Sequence, residues 1–285
     1  MSTFSRLHSL LSGLGFLLVG CSSHVGKPDA PAPTPVSTQY DLTRDVAFSP
    51  EGWPQRPLAD VYIPRGDGPW PGVLLIYGGG WEGGDREQVE SIAERLARRG
   101  FVVFSASYRF APQYRYPAQF EDVRLAYDWM RTHADEYRLK ADRIGTWGYS
   151  AGAHLAALLG TVTADGQSRP AAVVAGGIPS DLTKFPGGKL VPQLLGTSLQ
   201  ENPELFRRAS PFHHVSPDDS PHFIYHGGSD LLVSVDHAED YHAALVTAGV
   251  RSELFILRGR GHITAFLTDG PAFEAGAAFL DRELR

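Results

Sequence analysis

The chain has 285 residues, 42 % hydrophobic and 20 % charged, with a net charge of −6 and a pI near 6.0. That is enough for one large domain with a buried core, and it lacks the basic footprint that a nucleic-acid partner requires. Cys21 is the single cysteine, which excludes an intrachain disulfide and a cysteine-rich metal site.

The first elements are not globular. Residues 1–21 carry Arg6 ahead of a run of apolar and small residues, too short to span a bilayer and of the right length for a signal-peptide core. The run ends Leu18-Val19-Gly20-Cys21, which resembles the lipobox of bacterial lipoproteins and makes Cys21 the expected lipidation site. Export and anchoring follow from that resemblance. Ser22 next to the cysteine favours the bacterial outer membrane, with membrane contact only through the lipid. Residues 22–38 are rich in Pro, Ser and Ala and read as an extended tether.

From residue 39 onward apolar runs alternate with amphipathic stretches, so 39–285 read as one folded domain. Leu58 to Ile63 alternates as a strand of an antiparallel start, and Gly72 to Tyr77 and Phe101 to Ala106 read as strands buried on both faces. Gln88 to Arg98 has helical periodicity with Asp85 as its cap, and Phe120 to His133 is a second helix. Arg143 to Tyr149 is a strand and Ala151 to Val162 a helix. Further strands are expected at Ala171 to Ile178, Pro221 to His226 and Glu253 to Leu257, and helices at Val235 to Ala248 and Pro271 to Leu284. This order implies an α/β fold, a mostly parallel sheet with helices on both faces. The Gly- and Pro-rich interruption from Pro179 to Phe212 is long for a connection and is a candidate lid or substrate loop.

Gly148-Tyr149-Ser150-Ala151-Gly152 falls between a buried strand and a helix and matches a nucleophile elbow. A serine hydroxyl needs a base, and the partners in such a fold follow as acid, then histidine. Asp230 in His226-Gly227-Gly228-Ser229-Asp230 and His262 in Gly259-Arg260-Gly261-His262 occupy those places, each after a strand. The rival acid is Asp236, at a helix start where a carboxylate has a simpler role. The oxyanion needs pre-aimed backbone amides, and Gly79, Gly80 and Ala151 are the candidates. His226 reads as support for the acid's turn and His154 as packing below the nucleophile. His213 and His214 have no ligand partners at metal spacing, and no metal or cofactor is implied.

With these segments in place, most of residues 45–285 resemble the bacterial esterase/lipase branch of the α/β-hydrolase superfamily. The nearest patterns are the carboxylesterases related to hormone-sensitive lipase and the acetyl- and feruloyl-type esterases. Asp60-Val61-Tyr62-Ile63-Pro64, Tyr108-Arg109-Phe110-Ala111-Pro112 and Ser210-Pro211 carry the likeness beside the triad. The resemblance implies a serine carboxylic ester hydrolase acting through an acyl-enzyme on a small ester or an acylated saccharide, with Arg109 as an ion-pair partner. Two departures stand out. The proline-rich stretch offers no helical cap, which favours an open site and short acyl groups, and Tyr77 stands where these esterases usually have histidine. A tyrosine before paired glycines resembles the prolyl-oligopeptidase pattern. Tyr77 is therefore either an oxyanion donor through its hydroxyl or a ring packed beneath the loop. A serine peptidase or amidase, an arylformamidase and a catalytically silent binding module are the alternatives.

Overall fold

The computed structural model describes residues 22–28, 31–162, 167–185 and 187–285. Cys21 and the rest of the signal-like segment lie outside the described residues.

Six parallel strands form the centre of a nine-stranded sheet: β4 (Trp70–Ile76), β5 (Val102–Ala106), β6 (Leu139–Tyr149), β7 (Val173–Gly176), β8 (His222–Gly227) and β9 (Ser252–Leu257). The near-continuous burial of β4, β5, β7 and β8 follows from runs covered on both sides. The remaining strands are β1 (Ser22–Val25), β2 (Tyr40–Ala47) and β3 (Leu58–Pro64), and the spatial order is β1-β9-β8-β7-β6-β4-β5-β3-β2. Helices α1 (Glu90–Arg98), α2 (Ala118–Thr132), α3 (Ala151–Thr161), α6 (Asp236–Thr247) and α8 (Gly270–Leu284) supply the main covering layers. Asp85 caps the helical turn before α1 by accepting from the Gln88 amide. α3 is buried along its whole length, because it packs on β6 and β7 on one side and on α2 on the other.

Three features differ from the sequence expectations. The 22–38 stretch is not wholly a tether: Ser22–Val25 pair antiparallel with Leu254–Leu257 and cover the free edge of β9. His24 completes that contact, reaching Glu253 Oε2 at 2.7 Å and lying edge-on to Phe223 and Phe255. Pairing across more than two hundred residues leaves no local signal in a Ser- and Pro-rich stretch. The second is β2, which precedes the expected first strand. Its run Asp41-Leu42-Thr43-Arg44-Asp45 is exposed at the far edge of the sheet, so hydrophobic alternation is absent. The third is a short helix, α7 (His262–Leu267), which begins at His262 where a loop was expected.

The Pro179 to Phe212 interruption is partly helical, with α4 (Leu190–Leu195) and α5 (Pro203–Arg208). It folds over the carboxyl ends of the central strands and packs on the core through Val191, Leu194, Leu195 and Phe206.

Candidate active site

The elbow is built by two glycines that no other residue can replace. A Cβ on Gly148 would lie 2.2 Å from the Gly152 carbonyl oxygen, and one on Gly152 would lie 2.1 Å from that of Ile76. The turn is thereby tight enough to hold Ser150 at φ 54°, ψ −121°, a left-handed conformation rare outside glycine. Its amide donates to the Gly176 carbonyl, which fixes the turn to β7. The side chain then stands at the start of α3, clear of the backbone.

Asp230 and His262 converge on it. Ser150 Oγ is 2.9 Å from His262 Nε2, and His262 Nδ1 is 2.6 Å from Asp230 Oδ2. A carboxylate can only accept, so Nδ1 carries the proton and Nε2 is left as acceptor for the serine hydroxyl. The other Asp230 oxygen accepts the amides of Leu232 and Val233, both at 2.9 Å. His226, fully buried, donates from Nε2 to the Val233 carbonyl at 2.9 Å and lies 3.3 Å from Asp230 Oδ2. Burial alone would raise the Asp230 carboxyl. The hydrogen bonds from His226, His262 and the Val233 amide outweigh it and hold the group well below the usual carboxylate range. The imidazole is held from behind as well, since the Tyr149 hydroxyl donates to the His262 carbonyl at 2.6 Å.

Asp236 does not approach His262. It pairs with Lys184 at 2.8 Å, and Lys184 together with Ser234 holds its carboxyl down to about 2. His213 and His214 also point apart, to Asp181 Oδ1 and the Arg208 carbonyl. Arg109 is an ion-pair partner, with Nε 2.8 Å from Asp122 and its own amide donating to the same carboxylate.

The loop after β4 brings Gly79 and Gly80 to the serine. Both have positive φ, 119° and 62°, which only glycine adopts freely. Neither their amides nor that of Ala151 donates to another carbonyl among the described residues, and all three residues line the cavities that meet at Ser150. Tyr77 is elsewhere. It is 1 % exposed, its ring stacks on Tyr108 with centroids 4.8 Å apart, and burial raises its hydroxyl far above the ordinary value. It lines neither cavity and lies against Gly84, which favours the reading of Tyr77 as a ring packed beneath the glycine loop. The side chain that braces the loop is His154. Its Nδ1 accepts from the Trp81 indole at 3.3 Å, and its Nε2 donates to the Ala209 carbonyl at 2.6 Å. Burial pushes its imidazole down to about 4, so it remains neutral between these partners.

Two cavities flank Ser150. One, about 290 Å³, is walled by Trp81, Pro179, Phe185, Leu190, Val191 and Val233. The other, about 400 Å³, lies on the His262 side against Gln88, Ile263, Phe266 and Leu267. Leu232 borders both. The first wall draws Pro179, Phe185, Leu190 and Val191 from the interruption that the sequence marks as a candidate lid or substrate loop, whereas Leu232, Ile263, Phe266 and Leu267 carried no signal in the sequence.

Strand order, parallel crossovers and the strained serine elbow define an α/β-hydrolase. The BD-FAE family model matches residues 59–245, and the chain belongs to that family. The matched span contains Ser150 and Asp230 and ends before His262. Among curated relatives, esterase LipC of Mycobacterium tuberculosis is 30 % identical over 239 residues, covering 75 % of this chain and 59 % of that protein. Esterase LipQ of the same organism is 30 % identical, covering 73 % and 53 %. The chain thus spans between half and three-fifths of the length of these relatives. Among solved structures, a truncated carbohydrate esterase from gut microbiota has a TM-score of 0.77 at 23 % identity, covering 88 % of this chain and 99 % of that one. A bifunctional GH43-CE protein of Bacteroides eggerthii has the same TM-score at 26 % identity, over 86 % and 35 %.

Proposed function

We propose that the chain is a serine carboxylesterase that hydrolyses short-chain acyl esters through Ser150, His262 and Asp230. The observation that carries this reading is the continuous hydrogen-bonded path from Ser150 Oγ through the imidazole to the Asp230 carboxylate. The esterase names of its relatives support it.

In the first half-reaction the ester carbonyl sits against the amides of Gly79, Gly80 and Ala151. Ser150 Oγ attacks the carbonyl carbon as its proton passes to His262 Nε2, and negative charge builds on the carbonyl oxygen facing the three amides. Asp230 stabilises the imidazolium without itself taking the proton. Collapse breaks the bond to the alcohol oxygen, which receives the proton from Nε2. The acyl group is left on Ser150, and water repeats the sequence through the same base. Because Nε2 must reach the leaving oxygen, the alcohol takes the cavity on the His262 side and the acyl group takes the one walled by Phe185 and Leu190. About 290 Å³ lies at the lower bound of the roughly 300–1,000 Å³ of ordinary ligand pockets, which suits a small acyl group. A simple or saccharide alcohol is the proposed other half.

The burial of Tyr77 against Tyr108 supports the ester reading over the peptidase alternative. A serine-directed phosphonate should label the protein, and Ser150→Ala should abolish both labelling and turnover of acetyl and butyryl esters while the fold survives. A folded, active Ser150→Ala protein would overturn the assignment. Export as a lipoprotein is proposed on the Leu18-to-Cys21 motif. Mass spectrometry of the mature N-terminus should find a diacylated Cys21, and an unmodified terminus beginning elsewhere would refute it.

A further inference from the structure

β1 enters the sheet at a defined end. Ser22 pairs with Leu257, the last residue of β9, and Val25 pairs with Leu254. The chain therefore comes in at the carboxyl end of the parallel strands, the end at which Asp230 follows β8 and His262 follows β9. Only the short turn from Arg258 to Gly261 separates the level of Ser22 from the catalytic imidazole. Ser22, the first described residue, is held at the end of the sheet on which the active site opens.

That face is unusually apolar. Eight large hydrophobic side chains are exposed among the described residues, and four of them surround the opening: Leu231 at 101 %, Leu232 at 57 %, Ile263 at 62 % and Leu267 at 71 %. Leu232, Ile263 and Leu267 border the cavity on the His262 side, and Leu231 stands beside them fully in solvent. Exposed large apolar side chains gathered around one opening mark a surface that meets something other than water. The turn between Ser22 and this rim contributes Arg258 and Arg260. Among the described residues neither forms an ion pair with a carboxylate, although the protein as a whole is acidic; Arg260 donates to the Thr268 carbonyl. Apolar side chains flanked by arginines without a carboxylate partner are the arrangement that anionic lipid headgroups favour.

We propose that this face docks on an anionic lipid bilayer, with Leu231, Leu232, Ile263 and Leu267 in the interfacial layer and Arg258 and Arg260 at the headgroups. The active site then opens onto the membrane surface and takes esters presented there as well as esters reaching it from bulk water. The orientation rests on the serine-esterase reading and on Cys21 as the anchor. The docking surface itself is tested without either.

The test uses the full chain with Cys21→Ser, which is free of acyl groups and of cysteine. Leu231→Cys is then added for labelling with an environment-sensitive fluorophore. Vesicles of phosphatidylcholine containing phosphatidylglycerol should blue-shift the label, and brominated acyl chains should quench it. A label at Asp67→Cys, in the exposed turn at the opposite end of the sheet, should respond to neither. In the unlabelled protein, Leu231→Ser should lower vesicle partitioning by about tenfold, the worth of one buried leucine. Arg258→Gln should lower it by about fivefold on anionic vesicles only. Neither residue belongs to the catalytic groups or the cavity walls, so turnover of a water-soluble ester should be unchanged. Equal responses at both label positions, no response at either, or partitioning unaffected by both substitutions would overturn the proposal. Loss of soluble-ester turnover in the parent protein would instead count against the esterase reading, and docking is read independently of it.

Discussion

Replacing Asp230 by asparagine changes one oxygen for an NH2 group and nothing in volume. Both carboxylate oxygens are already facing donors: Oδ1 accepts the Leu232 and Val233 amides, and Oδ2 meets His262 and His226. An amide at this position must therefore set its NH2 against donors on one side or the other. If it faces the backbone amides, the turn loses two hydrogen bonds, a cost of about 1–3 kcal/mol for the unsatisfied buried groups. If it faces His262, the imidazole must accept at Nδ1 and carry its proton on Nε2, where it can no longer take one from Ser150. That second arrangement keeps the turn intact. Asp230→Asn is expected to lower kcat by about 10⁴ with little change in KM, as for the equivalent loss of tautomer control in other triads. Steady-state kinetics on a short-chain ester, with circular dichroism to verify folding, measures it. A folded variant within tenfold of the wild type would refute the assignment of the acid. The acid side of the stability curve gives a second check. A carboxyl held below its unfolded value stabilises the fold above about pH 4 and loses that contribution as pH falls through the folded value. The asparagine cannot titrate. The stability gap between wild type and variant, read by urea midpoints, should therefore be widest near neutrality and close on acidification.

Tyr77→Phe should leave kcat within about tenfold, because the hydroxyl is buried against Tyr108 rather than facing the oxyanion; a loss of 10²–10³ would restore the donor role. Gly152→Ala places a methyl 2.1 Å from the Ile76 carbonyl oxygen and 2.5 Å from that of Tyr77, both backbone. It should cost about 3 kcal/mol or more and be evident as a lowered urea midpoint, and an unchanged midpoint would contradict the packing described. Phe185→Ala should open the wall of the acyl cavity, so that kcat/KM for longer acyl esters rises relative to acetyl by about fourfold per added methylene. Unchanged chain-length preference would move the acyl group to the other cavity.

The candidate site residues were legible because each is tied to a local pattern. Ser150 needs small residues on both sides within one turn, and Asp230 and His262 each follow a buried strand, so spacing and context identify them before any contact is known. The apolar runs of β4 and β5 were equally plain, since burial on both faces leaves few alternatives to Val, Ile and Leu. What went unread depends on partners distant in the chain. Ser22–Val25 have strand character only because the β9 edge is there to receive them. Tyr77 had two readings from sequence, and its burial follows from stacking against Tyr108, a neighbour supplied by the next crossover. The bridging role of His154 needs Trp81 and Ala209, on elements that sequence spacing cannot bring together.

The placement of β1 also governs the order in which the protein can be completed. Its strand is among the first described residues to be synthesised, yet its partner Ser252–Leu257 is the last strand of the sheet. During translation the segment must wait with its backbone groups unpaired until nearly the whole domain has emerged. Conversely, a chain trimmed to begin at Tyr40 would retain the catalytic groups but leave β9 as a bare edge, with Leu254 and Phe255 beside a row of unsatisfied amides and carbonyls. Such an edge recruits other strands. The shortened enzyme would be expected to associate through β9, and its loss of solubility would be misread as a defect of the active site.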